Sequence, residues 1–158
     1  DLILKIIRLC FVTLFVFAFV SSVQAQQPSW NKSQMEVWDL VQKSWVDDVA
    51  ENGNWPKDYV HNNYVSWGAS SGGPSYKDST IKWSRYDDES SDTLIYENSP
   101  ASITVEDDTA VVNYYSTTVS TNSEGKRKRS VTRISEVLIK DGRKWVFIAG
   151  SSFEPKLN

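Results

Sequence analysis

The residues with the clearest chemical potential lie in one long β-rich run, from position 127 to 140. Successive side chains of a strand point to opposite faces, so Arg133 and Ser135 share one face while Ile134 and Glu136 share the other. Inside a pocket, Arg133 would bind a carboxylate or another anion through two parallel hydrogen bonds. Alternatively, it pairs with a carboxylate on a neighbouring strand or lies at a dimer surface. The pattern leaves open which of the two faces looks inward.

Three residues are candidates for acid–base catalysis. Glu136 and Glu97 are carboxylates within predicted strands, and either would act as a general base if burial raised its pKa. The competing interpretation is that both face solvent. His61 is the only histidine, and its side chain titrates near neutral pH. It has no identifiable partner in the sequence, so a surface position is the competing interpretation for this residue as well.

Aromatic residues are abundant. The chain has seven Trp and seven Tyr, which is more aromatic surface than the core of a small domain requires. Trp38 and Trp45 fit the buried stripe of a helix, and core packing explains most of the others. Part of the set is predicted to line a pocket for a flat or apolar ligand. The ligand-binding candidates are Arg133, Ser135, Trp67, Trp83, Tyr64 and Tyr114.

Composition argues against several other classes of function. Cys10 is the only cysteine, and no clustered metal-ligand spacing is present, so neither a metal nor a cofactor is predicted. The net charge is −3 at pH 7. A mildly acidic chain lacks the electrostatic footprint of a nucleic-acid-binding protein. The basic cluster at 126–129 is interpreted as a solvated hairpin end.

The first 25 residues are predicted to be a signal peptide. Lys5 and Arg8 precede an apolar run, and residues 21–25 supply the small side chains of a cleavage site. The apolar run is short for a permanent membrane anchor. We therefore expect a secreted or periplasmic protein, without stable membrane insertion once the segment is removed. The mature chain would comprise a polar lead-in at 26–32, one domain at 33–153 and a tail at 154–158.

Helical signals come first within the domain. Ser33 and Glu36 have the spacing of a capping box, and apolar residues then recur at three- and four-residue intervals from Met35 to Val49. Gly53 predicts the end of this helix. The next segment is irregular, and its predicted elements are a short helix at 55–59, a weak strand at 64–67, a third helix at 75–86 and a charged turn at 87–92.

Strand signals occupy the rest of the chain. The predicted strands are 93–97, 102–106, 109–121, 127–140 and 144–151. Turn-forming residues separate them, and Asp141-Gly142 is the strongest hairpin signal. Helices first and an antiparallel meander last predict an α+β domain. The long central strands favour a strongly curved sheet, because long strands normally bend or curl.

This order of elements resembles the nuclear transport factor 2-like superfamily over residues 30–153, through the motifs PASITVEDDTAVV at 100–112, RISEV at 133–137 and DGRKWVF at 141–147. SnoaL-like and ketosteroid-isomerase-like domains are the most similar branch. The resemblance implies a cone-shaped sheet with the N-terminal helices on its concave face, a cystatin-like α+β roll that contains a pocket. Many such relatives carry a histidine about six residues after the hairpin tryptophan, where this chain has Ser151. The catalytic residues of ketosteroid isomerase have no matching positions.

Three functions follow as expectations. The leading hypothesis is an exported, non-catalytic domain that binds a small apolar or anionic molecule in the cone, as a homodimer. The alternative is a cofactor-independent isomerase, dehydratase or cyclase that uses acid–base residues in the pocket, so enzymatic activity is left open. The third is an oligomerisation or protein-interaction module whose open sheet face is the functional surface.

Overall fold

The computed structural model describes residues 29–68 and 71–155. The predicted signal peptide lies outside the described residues, as do the first part of the lead-in and the end of the tail. Within the described ranges, no helix is both long enough and apolar enough to cross a membrane.

The described residues form two helices and six strands, and the predicted α+β class is confirmed. Their bounds in chain order are α1 (Lys32–Val49), β1 (Val60–Gly68), β2 (Ser75–Tyr76), α2 (Lys77–Ser90), β3 (Ser91–Glu106), β4 (Thr109–Asn122), β5 (Arg127–Asp141) and β6 (Lys144–Phe153).

The six strands form one sheet in the order β2-β1-β6-β5-β4-β3. All neighbours are antiparallel except β1 and β6, which run parallel. Two tight turns join the long hairpins, and each contains a residue with positive φ: Asp107 (φ 48°) and Gly142 (φ 65°). Irregularities interrupt the register within β3 and near Val137 of β5. Bulges of this kind bend a strand and increase its twist, so they help to curve the sheet.

Three details of the predicted elements were wrong. The strands predicted at 93–97 and 102–106 are one continuous strand, β3. Pro100 does not end this strand. Because β3 lies at the edge of the sheet, the N–H that Pro100 lacks costs no hydrogen bond to a neighbouring strand. The helix predicted at 55–59 is a single turn, with hydrogen bonds from the N–H groups of Asp58 and Val60 to the carbonyls four residues before them, and β1 begins directly after it. The charged turn predicted at 87–92 is the end of α2 and the start of β3.

Helix α1 begins two residues earlier than the predicted capping box. Asn31 is the N-cap, and its Oδ1 accepts a hydrogen bond of 3.0 Å from the N–H of Gln34. The Gln34 side chain returns the interaction by accepting from the N–H of Asn31 at 2.8 Å. Its Nε2 also donates to the carbonyl of Ile103 on β3 at 2.6 Å, so the same side chain anchors the helix to the sheet.

The core lies between α1 and the concave face of the sheet. The helix contributes Val37 and Val41, which are fully buried. The sheet contributes Val112, Leu138 and Phe147 from its three central strands. Strand alternation therefore places the even-numbered residues of β4 and of β5 on the inner face.

Candidate functional site

A cavity of about 250 Å³ opens where α1 and the sheet diverge. Its lining includes Trp45, Trp55, Tyr64, Tyr114, Ile134 and Glu136. We call it the cone cavity. It is larger than an engineered core cavity of about 150 Å³ that holds benzene, and slightly smaller than the roughly 300–1,000 Å³ of typical ligand pockets. It therefore fits a molecule of one ring or a short chain.

Glu136 supplies the carboxyl group of this cavity. It lies on the inner face of β5, opposite Val112 of β4 and Gly150 of β6. The residue as a whole is half-buried, but its Oε2 has no contact with solvent and no hydrogen-bond partner. Burial raises the pKa of the Glu136 carboxyl to about 8, and hydrogen bonding by the Tyr114 hydroxyl opposes this only in part. At neutral pH the carboxyl is therefore mainly uncharged.

Two phenols converge on Glu136. The hydroxyl of Tyr114 accepts a hydrogen bond of 2.9 Å from Nε1 of Trp45. Burial and then the nearby charge of Glu136 raise the pKa of Tyr114 above its usual range, and the same two causes raise the pKa of Tyr64 to about 12. Both phenols therefore stay protonated. Gly150 leaves room for Tyr64, because a Cβ there would lie 3.0 Å from the Tyr64 hydroxyl.

A second carboxyl lies at the mouth of the cone cavity. Asp48, in the last turn of α1, lines both the cone cavity and a neighbouring groove of about 820 Å³. Burial raises the pKa of Asp48 to about 7, with smaller contributions from the negative charges of Asp88, Asp87 and Glu51. Asp48, Trp55 and Ser66 line both spaces, so the two are adjacent.

The predicted anion-binding residue lies elsewhere. Arg133 is on the outer face of β5, with its guanidinium carbon 5.9 Å from the centre of the Tyr115 ring. Ser135 shares that face, and both line a hollow with Phe153. Glu97 is exposed on β3. Among the residues that the structure describes, the lining of the cone cavity includes no arginine or lysine. The cone cavity therefore offers an anion no cationic partner.

The remaining predicted site residues are spread around the two spaces. Tyr64 and Tyr114 lie in the cone cavity with Glu136. Trp67 is 64% exposed at the mouth of that cavity, and Trp83 is 57% exposed in the neighbouring groove. His61 is at the start of β1, where its Nδ1 accepts from the N–H of Asn63. It lines neither space.

Sequence reasoning missed Asp48 and Gly150. A signal for Asp48 was present, because it follows Trp45 by three residues and so lies next to the apolar stripe of α1. A carboxylate beside an apolar stripe is a buried-charge candidate. Gly150 carries no comparable signal, since its importance depends on the Tyr64 hydroxyl, which reaches it from β1.

Similar folds occur among solved structures. A ketosteroid isomerase-like protein from Erwinia carotovora atroseptica has a TM-score of 0.71 at 11% identity, over 81% of this chain and 100% of that one. An NTF2-like protein with a cystatin-like fold from Novosphingobium aromaticivorans has a TM-score of 0.62 at 13% identity, over 79% of this chain and 83% of that one. The chain has the NTF2-like fold. The resemblance inferred from its sequence motifs is confirmed at the level of the fold.

Another similar structure carries a different description. A candidate calcium/calmodulin dependent protein kinase II association domain from Xanthomonas campestris has a TM-score of 0.64 at 19% identity, over 77% of this chain and 88% of that one. No protein-family model and no curated protein matches the chain. The similarity to these structures establishes the fold alone, and the chemistry of the cone cavity follows from its own residues.

Proposed function

We propose that the cone cavity binds a small, mainly apolar molecule whose one polar atom pairs with the uncharged carboxyl of Glu136. The observation that carries this proposal is the Oε2 atom of Glu136, which is buried without a hydrogen-bond partner. An unsatisfied buried polar group costs about 1–3 kcal/mol. A ligand oxygen that reached this atom would remove that cost, so the site gains more from such a ligand than from a purely apolar one.

The chemistry of the pocket selects a hydroxyl or carbonyl compound. A protonated carboxyl offers one O–H donor and also accepts hydrogen bonds. Two protonated phenols stand beside it, and the aromatic rings of Trp45 and Trp55 form apolar walls. A molecule with one ring and one oxygen matches this lining in size and polarity. The binding is expected to need no cofactor.

Cyclohexanone is a suitable probe, with tryptophan fluorescence as the readout because Trp45 and Trp55 line the cone cavity. We expect saturable binding that is about tenfold weaker above pH 9 than at pH 6, because the ionised carboxylate loses its donor.

Gly150→Leu should abolish binding by filling the cavity beside Tyr64. The control Ala149→Leu adds three of the same four carbon atoms at a neighbouring position that does not line the cavity. Quenching that does not saturate, or that survives Gly150→Leu, would remove the proposal.

Acid–base catalysis in the same cavity is the second candidate function. It is favoured by the pKa of Glu136, about 8, because proton transfer is most efficient when the pKa of the catalytic group lies near the working pH. Deuterium exchange next to the carbonyl of cyclohexanone, followed by NMR in heavy water, separates the two functions. Exchange that depends on Glu136 indicates catalysis, and binding without exchange indicates a non-catalytic domain.

We also propose that the protein is exported and forms a homodimer through the outer face of its sheet. Export rests on the signal-peptide pattern of residues 1–25. The dimer rests on exposed aromatic groups on that face: Tyr115 is 44% exposed and Phe153 is 48% exposed, on either side of Arg133. Apolar surface grouped in this way is typical of interaction sites.

Light scattering on residues 26–158 tests the dimer and should give twice the mass of one chain. Tyr115→Glu is expected to raise the dimer dissociation constant about 100-fold, since a buried interface tyrosine is often a binding hot spot. Tyr86→Glu is the control, because Tyr86 is also an exposed tyrosine (58%) but lies on α2. A monomeric mass for the unchanged protein, or equal effects of the two variants, would count against this interface.

A further inference from the structure

The groove beside the cone cavity has a strongly one-sided charge. It lies at the carboxyl ends of α1 and α2, and its acidic residues are Asp48, Glu51, Asp87 and Asp88. We call it the acidic groove. Of the described residues that line it, none is lysine or arginine. In the described part of the chain, none of the four carboxylates belongs to an ion pair.

The helix ends add to this negative potential. The carboxyl end of a helix carries a partial negative charge, so basic residues are favoured in its last turn and acidic ones are not. Both helices have the opposite arrangement, with Asp48 in the last turn of α1 and Asp87 and Asp88 in that of α2, and neither last turn contains a basic residue. This placement opposes stability unless something positive occupies the groove.

The titration behaviour of the carboxylates agrees with this description. Burial raises the pKa of Asp87 and the pKa of Asp48 above the ordinary value of an aspartate. In both cases the negative charge of Asp88 raises the pKa further. A cation in the acidic groove would relieve that repulsion. In the described ranges, no three acidic, histidine or cysteine side chains are grouped closely enough to hold a metal ion.

The aromatic lining favours an organic cation. Trp83 is 57% exposed in the acidic groove, and Trp55 lies where the groove meets the cone cavity. The face of an indole ring attracts ammonium groups by about 0.5–2 kcal/mol. At the far end of the adjoining cone cavity, Oε2 of Glu136 is buried and unpartnered. The two adjacent spaces thus present negative and aromatic groups at one end and a mainly apolar chamber with one unpartnered carboxyl oxygen at the other.

We propose that the acidic groove holds the positive end of an organic ammonium compound whose apolar end occupies the cone cavity. This inference rests on the proposed function of the cone cavity and names its ligand class. It also replaces the anionic ligand that Arg133 had led us to expect, because Arg133 lines neither the cone cavity nor the acidic groove.

Three probes of similar shape and different charge test this inference by calorimetry on residues 26–158. They are phenyltrimethylammonium, which is positive, tert-butylbenzene, which is neutral, and benzenesulfonate, which is negative. We expect the ammonium compound to bind about tenfold more tightly than tert-butylbenzene, from the cation–π and charge contributions together. Benzenesulfonate should show no measurable binding, and added salt should weaken the ammonium compound alone.

A double variant identifies the groove as the source of the preference. Asp87→Asn with Asp88→Asn should lower the ratio of the ammonium affinity to the neutral affinity about tenfold, through two lost charge interactions. Glu97→Gln with Glu106→Gln removes the same charge from β3, outside the acidic groove, and should leave the ratio unchanged.

The outcomes separate this inference from the proposed function. If tert-butylbenzene binds as tightly as phenyltrimethylammonium, the cation inference is overturned and the cone cavity stands as a binding site for neutral molecules. If the control pair lowers the ratio as much as the groove pair, the preference comes from net charge and the groove assignment is wrong. If none of the probes binds and cyclohexanone also fails, both proposals fall.

Discussion

Replacing Glu136 with glutamine is expected to stabilise the protein at pH 9 and to change its stability little at pH 5. The pKa of this carboxyl rises from 4.5 to about 8 on folding, chiefly because burial disfavours its charged form. Each unit of pKa corresponds to about 1.4 kcal/mol, so the full penalty approaches roughly 5 kcal/mol. Because part of the residue still touches solvent, we expect a gain of about 3 kcal/mol at pH 9.

The direction follows from proton binding. Between pH 4.5 and about 8, the folded state holds the Glu136 proton more tightly than the unfolded state does. Stability therefore falls as the pH rises through this window. Glutamine does not titrate, so the variant should lose this part of the decline. The pKa of Asp48 is also raised, to about 7, so this residue causes a further loss of stability with rising pH in both proteins. The difference between the two proteins isolates Glu136.

Urea denaturation at pH 5, 7 and 9 measures the free energy of unfolding of both proteins. Glu97→Gln is the matched control, because Glu97 is exposed on the same sheet. Its effect should stay within about 0.5 kcal/mol at every pH. The Glu136 carboxyl would have to be well solvated if the glutamine variant were destabilised at pH 9. The same conclusion would follow if its free energy of unfolding differed from that of the unchanged protein by an equal amount at all three pH values.

The second large change in stability is expected where α1 packs on the sheet. Two valines of that helix, one buried and one exposed, allow a direct comparison. Val41 is fully buried and Val46 is 53% exposed. Val41→Ala should cost about 2–3 kcal/mol, since it removes two buried methyl groups and leaves a cavity. Val46→Ala should be neutral or stabilising by about 0.5 kcal/mol, because alanine has the higher helix propensity. Urea denaturation of both variants measures the difference, and equal effects would contradict the orientation of α1.

Local signals account for the parts of the fold that were predicted correctly. The turns at Asp107-Asp108 and Asp141-Gly142 depend on a few adjacent residues, so the sequence around them predicts the β3–β4 and β5–β6 hairpins. The continuity of β3 was missed because Pro100 normally interrupts a strand. Whether proline is tolerated depends on which strands pair, and the edge position of β3 is a property of the whole sheet.

The site shows the same division between local and distant information. Alternation along β5 separates Glu136 from Arg133 correctly, but it assigns neither to the interior. That assignment depends on α1, which covers the face that carries Ile134, Glu136 and Leu138. The acidic groove depends on the ends of two helices that β1 and β2 separate in the chain, so its charge cannot be recognised from either helix alone.

The central claim is that the cone keeps an uncharged carboxyl as the polar end of a ligand pocket. Its most direct test is a ¹³C NMR titration of the Glu136 carboxyl carbon, assigned with Glu136→Gln, first without and then with cyclohexanone. We expect a midpoint near pH 8 for the free protein. Cyclohexanone should raise the midpoint further, because its carbonyl accepts a hydrogen bond only from the protonated acid. A midpoint near the ordinary value of 4.5, or one that cyclohexanone does not move, would contradict the claim.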